Sequence, residues 1–166
     1  MGIFDFFKKK AEPKIAEKQI VEKEPYEKIM KINERLNEIS DYGKNLSKLN
    51  SSQQVVLIIE NLEREINNGG FNQFYFNSSG NHAEVTVENL RKIGADKTAE
   101  LVEKANFEWP NNKVPVNRNE RQAILEQIEN KAEQVWEDCD QLFYKYEDDI
   151  AGLLMDFVNA NRTDFE

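Results

Sequence analysis

Apolar residues recur at steps of three or four along most of this chain, which is the spacing of amphipathic α-helices. A first helix is predicted from Pro25, because proline suits a first helical turn, to a stop before Gly43. A second is predicted from Ser51 or Ser52, either of which can cap it, through the apolar run of residues 55–66. Each segment carries an apolar stripe that has to be buried against another helix.

Two shorter helices are predicted between residues 81 and 107, separated at Gly94 and with Asp96 as the N-cap of the second. Apolar positions at helical spacing then predict one long helix; they are Ile124, Ile128, Ala132, Val135, Cys139, Leu142 and Tyr146. A last helix is predicted around residues 150–158. No alternating apolar and polar run is long enough to build a sheet, so the predicted fold class is all-α.

The 166 residues suit a single compact multi-helix domain. We assign residues 25–166 to this acidic all-α domain and residues 1–24 to a polar N-terminal extension or tether. Residues 1–10 combine aromatic and lysine side chains, so weak contact with an anionic membrane is an alternative to docking on the domain. No apolar run reaches the roughly 18 to 20 residues of a membrane span, and the single cysteine fits a reducing cytoplasm.

The net charge of −9 is unevenly distributed along the chain. Residues 1–31 hold eight lysines against six acids, whereas residues 32–166 hold 14 basic and 25 acidic side chains, a net charge of −11. Such a surface repels phosphate backbones and attracts basic partners, so we expect no direct binding to nucleic acid and a basic protein as partner. The alternative is that the acidity serves solubility only.

Five acids are spaced 3, 4, 4 and 3 residues apart along the long C-terminal helix, away from its apolar side: Glu126, Glu129, Glu133, Glu137 and Asp140. Like charges at this spacing destabilise a helix by a few tenths of a kcal/mol per pair, so helix propensity alone would not favour this arrangement. At about 1.5 Å rise per residue they supply one carboxylate per about 5 Å, against one phosphate per about 3.4 Å of a DNA strand. This acidic stripe is therefore too sparse to imitate duplex DNA alone.

Four further acids lie near the last helix and are candidates to extend the partner-binding surface: Glu147, Asp148, Asp149 and Asp156. The first three also suit the N-terminus of that helix, where negative charge stabilises the helix dipole. A solvated helix face explains the acidic stripe equally simply, so both interpretations stay open.

The most distinctive segment follows the second helix and combines glycines, aromatics and amides; we call it the signature, and it comprises Asn67, Asn68, Gly69, Gly70, Phe71, Asn72, Gln73, Phe74, Asn77, Ser78, Ser79 and Gly80. It resembles a bacterial DNA-mimic protein family, small acidic helical proteins with an Asn-Asn-Gly-Gly-Phe run and a closing Asn-Ser-Ser-Gly run. The resemblance extends from about Tyr26 to the C-terminus. It implies an all-α fold and an acidic surface that occupies the nucleic-acid-binding face of a DNA-binding protein.

The signature has a structural and a functional interpretation. In the first, the glycines allow a sharp reversal after the helix, and the aromatic residues among 71–76 fill the core. In the second, the amides of Asn68, Asn72, Gln73 and Asn77 converge on a groove that recognises a polar ligand or partner.

The sequence contains none of the common catalytic motifs that would indicate an enzyme. Ser78, Ser79 and His82 lie close together, but this stretch is also ordinary turn chemistry. Glu133 and Glu137 alone make a poor metal site, so we expect neither a metal nor a cofactor. Cys139 lies on the apolar side of its helix and is expected to be buried and unreactive.

We therefore expect a non-enzymatic, cytoplasmic interaction protein that acts as a DNA mimic on a DNA-binding protein or transcriptional regulator. The alternative is an immunity or adaptor protein that binds one partner through a shaped surface. An enzyme that uses the aromatic and amide residues as a pocket is the third hypothesis. The sequence leaves the identity of the partner and the oligomeric state open.

Overall fold

A computed structural model describes the backbone of residues 14–166, with side chains described from Glu24 onward. Six α-helices occur in this range: α1 Lys14–Ile39, α2 Ser51–Phe76, α3 Ala83–Ile93, α4 Asp96–Asn106, α5 Arg118–Phe143 and α6 Ile150–Ala160. Short 3₁₀ turns lie at Leu46–Lys48, Ser78–His82, Pro110–Asn112 and Arg162–Phe165. Because residues 14–166 contain no strand, the all-α prediction is confirmed.

The first helix begins earlier than predicted. α1 starts at Lys14, and Pro25 lies inside it rather than in its first turn. A proline removes one backbone hydrogen bond from a helix interior, which is why the sequence favoured a start there. The suggested membrane contact of residues 1–10 falls outside the described residues. Within the described part of the chain, no helix is long and apolar enough to cross a membrane.

α2 is the centre of the core. Its apolar residues from Val55 to Ile66 are almost completely buried, and the helix packs against α1, α3 and α5. α1 also packs along α6, while α4 lies between α3 and α5. A helix that is buried on nearly all sides has a nearly continuous apolar sequence, as residues 55–66 of α2 have.

The predicted break between α3 and α4 is confirmed. Gly94 ends α3 with a φ of +84°, a left-handed conformation that glycine adopts without steric cost. The predicted N-cap at Asp96 is wrong, because Ala95 holds that position and has no side chain able to cap. The Asp148 carboxylate, from a distant loop, accepts the backbone N–H of Thr98 at 2.7 Å instead.

The start of α2 is capped one residue before the predicted serines. The Asn50 side chain accepts the N–H of Gln53 at 2.9 Å, and the Gln53 side chain accepts the N–H of Asn50 at 3.1 Å, which forms a capping box. Ser52 donates instead to the Asp164 carboxylate at 2.6 Å. The side chains of Asn50 and Gln53 both donate to the Asp164 carbonyl at 2.8 Å, so the helix start also anchors the C-terminal turn.

We expect Asn50→Ala to lower the free energy of unfolding by about 1 kcal/mol or slightly more, because it removes the cap and the bond to the C-terminal turn. Urea unfolding followed by circular dichroism measures the change. Asn130→Ala, at an exposed position of α5, is the control and should be nearly neutral. Equal effects of the two substitutions would contradict the role given to the capping box.

Candidate functional site

The helix that carries the acidic stripe turns a different face to the core than predicted. The buried residues of α5 are Arg121, Leu125, Ala132, Trp136, Cys139 and Phe143. Most of the apolar positions used for the prediction are only half-buried, and the true buried face is rotated by roughly 50° towards the stripe. The cause is Trp136, whose indole N–H donates to the Ala105 carbonyl of α4 at 3.1 Å and so seats the large ring in the core. α5 ends at Phe143, so Tyr146 lies in the following loop.

This rotation divides the acidic stripe. Glu126, Glu133 and Glu137 are exposed, Glu129 is half-buried, and Asp140 is turned towards the core. No salt bridge within the described part of the chain involves any of these five residues. Four carboxylates thus remain available to a partner along one side of α5.

Asp140 has a structural role. α2 is broken at Gly69 and Gly70, and Gly70 has a φ of +71°. The segment after the break begins at Phe71, and Asp140 accepts the Phe71 N–H at 2.8 Å. A side chain on Gly70 would collide with the Asp140 carboxylate, so glycine is required there. Burial raises the pKa of Asp140 to about 6, and the charge of Glu137 adds to the rise, although the bond from Phe71 opposes it.

Two of the other predicted surface acids are also helix caps. Asp148 accepts the Thr98 N–H at 2.7 Å and the Thr98 hydroxyl at 2.9 Å, and Asp149 caps α6 by accepting the Gly152 N–H at 3.0 Å. The predicted role at the N-terminus of the last helix therefore fits Asp149, whereas Asp148 caps α4 instead. Of the four acids, Glu147 and Asp156 are exposed and make no capping bond to the described residues.

Three polar side chains of the signature converge on Glu65, a carboxylate that was not among the predicted site residues. Glu65 is 5 % exposed and accepts bonds from Gln73 at 2.9 Å, Asn77 at 2.8 Å and Ser79 at 3.0 Å. Burial alone would raise the pKa of Glu65, but these three bonds and the charge of Arg64 hold the pKa below its usual value. The only feature of the sequence that points to Glu65 is its place, as an acid, within the largely apolar residues 55–66.

A second buried charge lies on the other side of the same segment. Arg121 has no exposed surface, and within the described part of the chain its guanidinium donates only to neutral oxygens. These are the carbonyls of Tyr75 at 2.6 Å, Asn77 at 2.7 Å, Pro115 at 2.8 Å and Val116 at 3.1 Å, and the side chain of Asn81 at 2.8 Å. Burial, helped by the charge of Arg118, lowers the pKa of Arg121 to about 10, so it stays protonated at neutral pH.

The aromatic residues among 71–76 mostly fill the core, as the structural interpretation predicted. Phe71, Phe74 and Tyr75 are buried, and the Tyr75 ring centroid lies 5.1 Å from those of Trp109 and Trp136. Phe76 is the exception. It is 50 % exposed, and the Arg118 guanidinium lies 5.8 Å from its ring centroid.

The four amides of the proposed groove do not share one site. Gln73 and Asn77 bind Glu65, whereas Asn68 and Asn72 are exposed. The Ser79 hydroxyl likewise donates to Glu65 rather than to His82, whose pKa is lowered by burial and by the charge of Arg121. Three polar side chains of the signature, Gln73, Asn77 and Ser79, thus hold the chain reversal together through Glu65.

Two more carboxyls of α2, Glu60 and Glu63, lie where the sequence predicted only helix packing. The Asn33 amide of α1 donates to Glu60 at 3.4 Å. Burial raises the pKa of Glu60 to about 8, with a contribution from Glu63 that Arg64 opposes. Burial also raises the pKa of Glu63 to about 7, against a hydrogen bond with Tyr146. Both residues interrupt an apolar run, which is the signal that could have revealed them.

The other candidates add no chemistry. Cys139 is a buried free thiol, and burial raises its pKa to about 11. Within residues that the structure describes, no group of three or more His, Cys, Asp or Glu side chains could hold a metal ion.

Comparison with known proteins identifies the family of this chain. Residues 47–161 match the family model described as DMP19-like protein, whereas no curated protein and no solved structure matches the chain. This match corrects the resemblance inferred from the signature. The family is that of DMP19-like proteins rather than a general DNA-mimic family, and the match begins at residue 47 rather than near Tyr26.

We expect Gln73→Ala to lower the free energy of unfolding by about 1 to 2 kcal/mol, because it takes one of three donors from the buried Glu65. Asn72→Ala, one residue away and exposed, is the matched control and should change stability by less than about 0.5 kcal/mol. Thermal and urea unfolding of both variants measure the difference. Two equally stable variants would show that the bond to Glu65 does not contribute.

Glu60 and Glu63 should make the protein less stable as the pH rises. Their pKa values are higher in the folded chain than the usual 4.5, so the folded state binds more protons between about pH 4.5 and 8. We expect the free energy of unfolding to fall by roughly 5 kcal/mol between about pH 5.5 and 8.5. Urea unfolding at the two pH values measures it.

Glu60→Gln should remove most of this pH dependence, because the neutral amide keeps the shape without the charge. Glu100→Gln, at an exposed position of α4, should leave the pH dependence as it is in the wild type. A wild-type protein that becomes more stable as the pH rises would contradict this account.

Proposed function

We propose that this chain, which belongs to the DMP19-like protein family, has a non-enzymatic function. Carboxylates on α5 bind a basic protein surface in place of DNA. DMP19, after which the family is named, is a DNA-mimic protein. The observation that carries the proposal is the run of Glu126, Glu129, Glu133 and Glu137 along one side of α5, without a salt bridge to any described residue.

Electrostatics favour a basic partner. Residues 32–166 carry a net charge of −11, so the domain repels nucleic acid and attracts cationic surfaces. The partner would offer lysine and arginine side chains that otherwise contact phosphates, as in a DNA-binding transcriptional regulator. The complex would form in the cytoplasm and exclude DNA by competition.

The geometry limits what the surface imitates. Glu126 and Glu137 are 11 residues apart, which is about 16 Å along the helix, so the side chains between them can stand in for only a short stretch of one DNA strand. With Asp140 turned inwards and Asp148 and Asp149 used as helix caps, Glu147 and Asp156 are the exposed acids that can extend the surface. We infer that the contact is a narrow acidic stripe rather than a replica of the duplex.

An immunity or adaptor protein is the second candidate. Phe76 and Phe107 are 50 % and 56 % exposed, and large exposed aromatic side chains are typical anchors at protein interfaces. Binding through such anchors would survive higher salt, whereas binding through the carboxylates would weaken steeply as salt is added.

We expect the double variant Glu133→Lys and Glu137→Lys to abolish capture of a basic DNA-binding protein from the native lysate at low salt. The matched control is Glu34→Lys and Glu38→Lys, which reverses two exposed acids at the same spacing on α1 and changes the net charge equally. The control should retain the partner. Excess duplex DNA should displace the partner from the wild-type protein.

Two results would contradict the proposal. If both double variants lose the partner equally, net charge and not the α5 stripe is responsible. If the captured protein is indifferent to duplex DNA and salt, the adaptor or immunity function replaces DNA mimicry.

A further inference from the structure

A polar cleft opens away from the α5 stripe, between the turn after α1, the middle of α2 and the 3₁₀ turn Ser78–His82. Its volume is about 270 Å³, which suits a molecule smaller than a typical drug. The polar side chains that line it and carry the argument are Lys44, Asn61, Arg64, Ser78, Asn81 and His82.

The charge of the cleft is opposite to that of the domain. Among the described residues, its lining includes two cations, Lys44 and Arg64, and no carboxylate. Lys44 and Arg64 are each 3.4 Å from a carboxylate oxygen, of Asp41 and Glu65 respectively. These distances exceed the 2.7 to 2.9 Å of roughly optimal charged bonds, so both cations keep donors for an incoming anion.

The cleft also contains a buried polar atom that no described residue satisfies. Asn61 lines the cleft, and its Oδ1 is buried and accepts no hydrogen bond from the residues that the structure describes. Buried acceptors in native proteins nearly always receive a donor, so a group bound here is expected to supply one. Asn81 is already fixed, because its Oδ1 accepts from Arg121 at 2.8 Å.

One wall of the cleft has an uncommon backbone. Asp41, Tyr42 and Gly43 have consecutive φ values of +52°, +56° and +80°. Two successive non-glycine residues in the left-handed region are rare, and such conformations cluster at ligand-binding sites. Bonds from the Tyr42 N–H to the Asn37 carbonyl at 2.7 Å and from the Gly43 N–H to the Ser40 hydroxyl at 3.0 Å hold this wall in place.

We propose that this cleft binds a small anionic ligand, whose carboxylate or phosphate group also carries or adjoins a hydrogen-bond donor. Lys44 and Arg64 bind the anion, and the Asn61 Oδ1 accepts the donor. The site is separate from the α5 stripe and does not depend on the function proposed for that surface.

Titration of the full-length, ¹⁵N-labelled protein tests the proposal by NMR. Inorganic phosphate and glycolate are the two anions with a hydroxyl donor, acetate is the anion without one, and sodium chloride matches the ionic strength. We expect saturable shifts of the backbone amides of Gly43, Lys44, Asn61 and residues 79–82 with phosphate or glycolate. Tighter binding of phosphate would identify the ligand as a phosphate, and tighter binding of glycolate would identify it as a carboxylate. Acetate should bind more weakly than glycolate, and chloride should produce no saturable shift.

The double variant Lys44→Gln and Arg64→Gln should weaken the apparent affinity for the better anion by about tenfold or more. Arg35→Gln with Lys131→Gln removes the same charge from exposed sites on α1 and α5 and should bind as the wild type does. Unchanged binding by the cleft variant, or the absence of saturable shifts with all the anions, would overturn the site. Equal affinities for acetate and glycolate would overturn the role of Asn61.

Discussion

Two buried charges of opposite sign hold the centre of this molecule together without touching each other. Glu65 takes its hydrogen bonds from side chains of residues 73–79, and Arg121 gives its own mainly to backbone carbonyls of residues 75–77 and 115–116. A buried charge is costly unless its hydrogen bonds are satisfied. The segment between these two charges therefore has to be rich in amides, hydroxyls and free carbonyls, as the signature is.

The break in α2 makes this arrangement possible. With Gly69 and Gly70 out of helical geometry, the segment 71–76 starts afresh, and its end brings free carbonyls to Arg121. Asp140 of α5 accepts the N–H of Phe71 at the start of this segment, and Arg121 of the same helix donates to the Tyr75 carbonyl near its end. α5 thus supplies a negative charge at the start of the segment and a positive charge at its end. α2 and α5 are thereby tied together at both places, and Trp136 sets their common orientation against α4.

These constraints also shape the candidate interaction surface. The rotation that seats Trp136 turns Asp140 inwards and leaves Glu126, Glu133 and Glu137 exposed. Part of the acidity of this protein is thus structural: Asp140, Asp148 and Asp149 cap helices, and Glu65 organises the chain reversal. The remaining carboxylates on α5 form a narrower surface than the count of acids suggests.

The sequence by itself determined the helical fold, most helix positions and the reversal at the signature, because hydrophobic spacing and glycine act locally. It also determined the sign of the surface charge. Only the tertiary structure decided which carboxylates are free, because a rotation of roughly 50° about α5 depends on how Trp136 packs against α4. The network around Glu65 and the buried Arg121 likewise arise from side chains far apart in the chain, which no local pattern brings together.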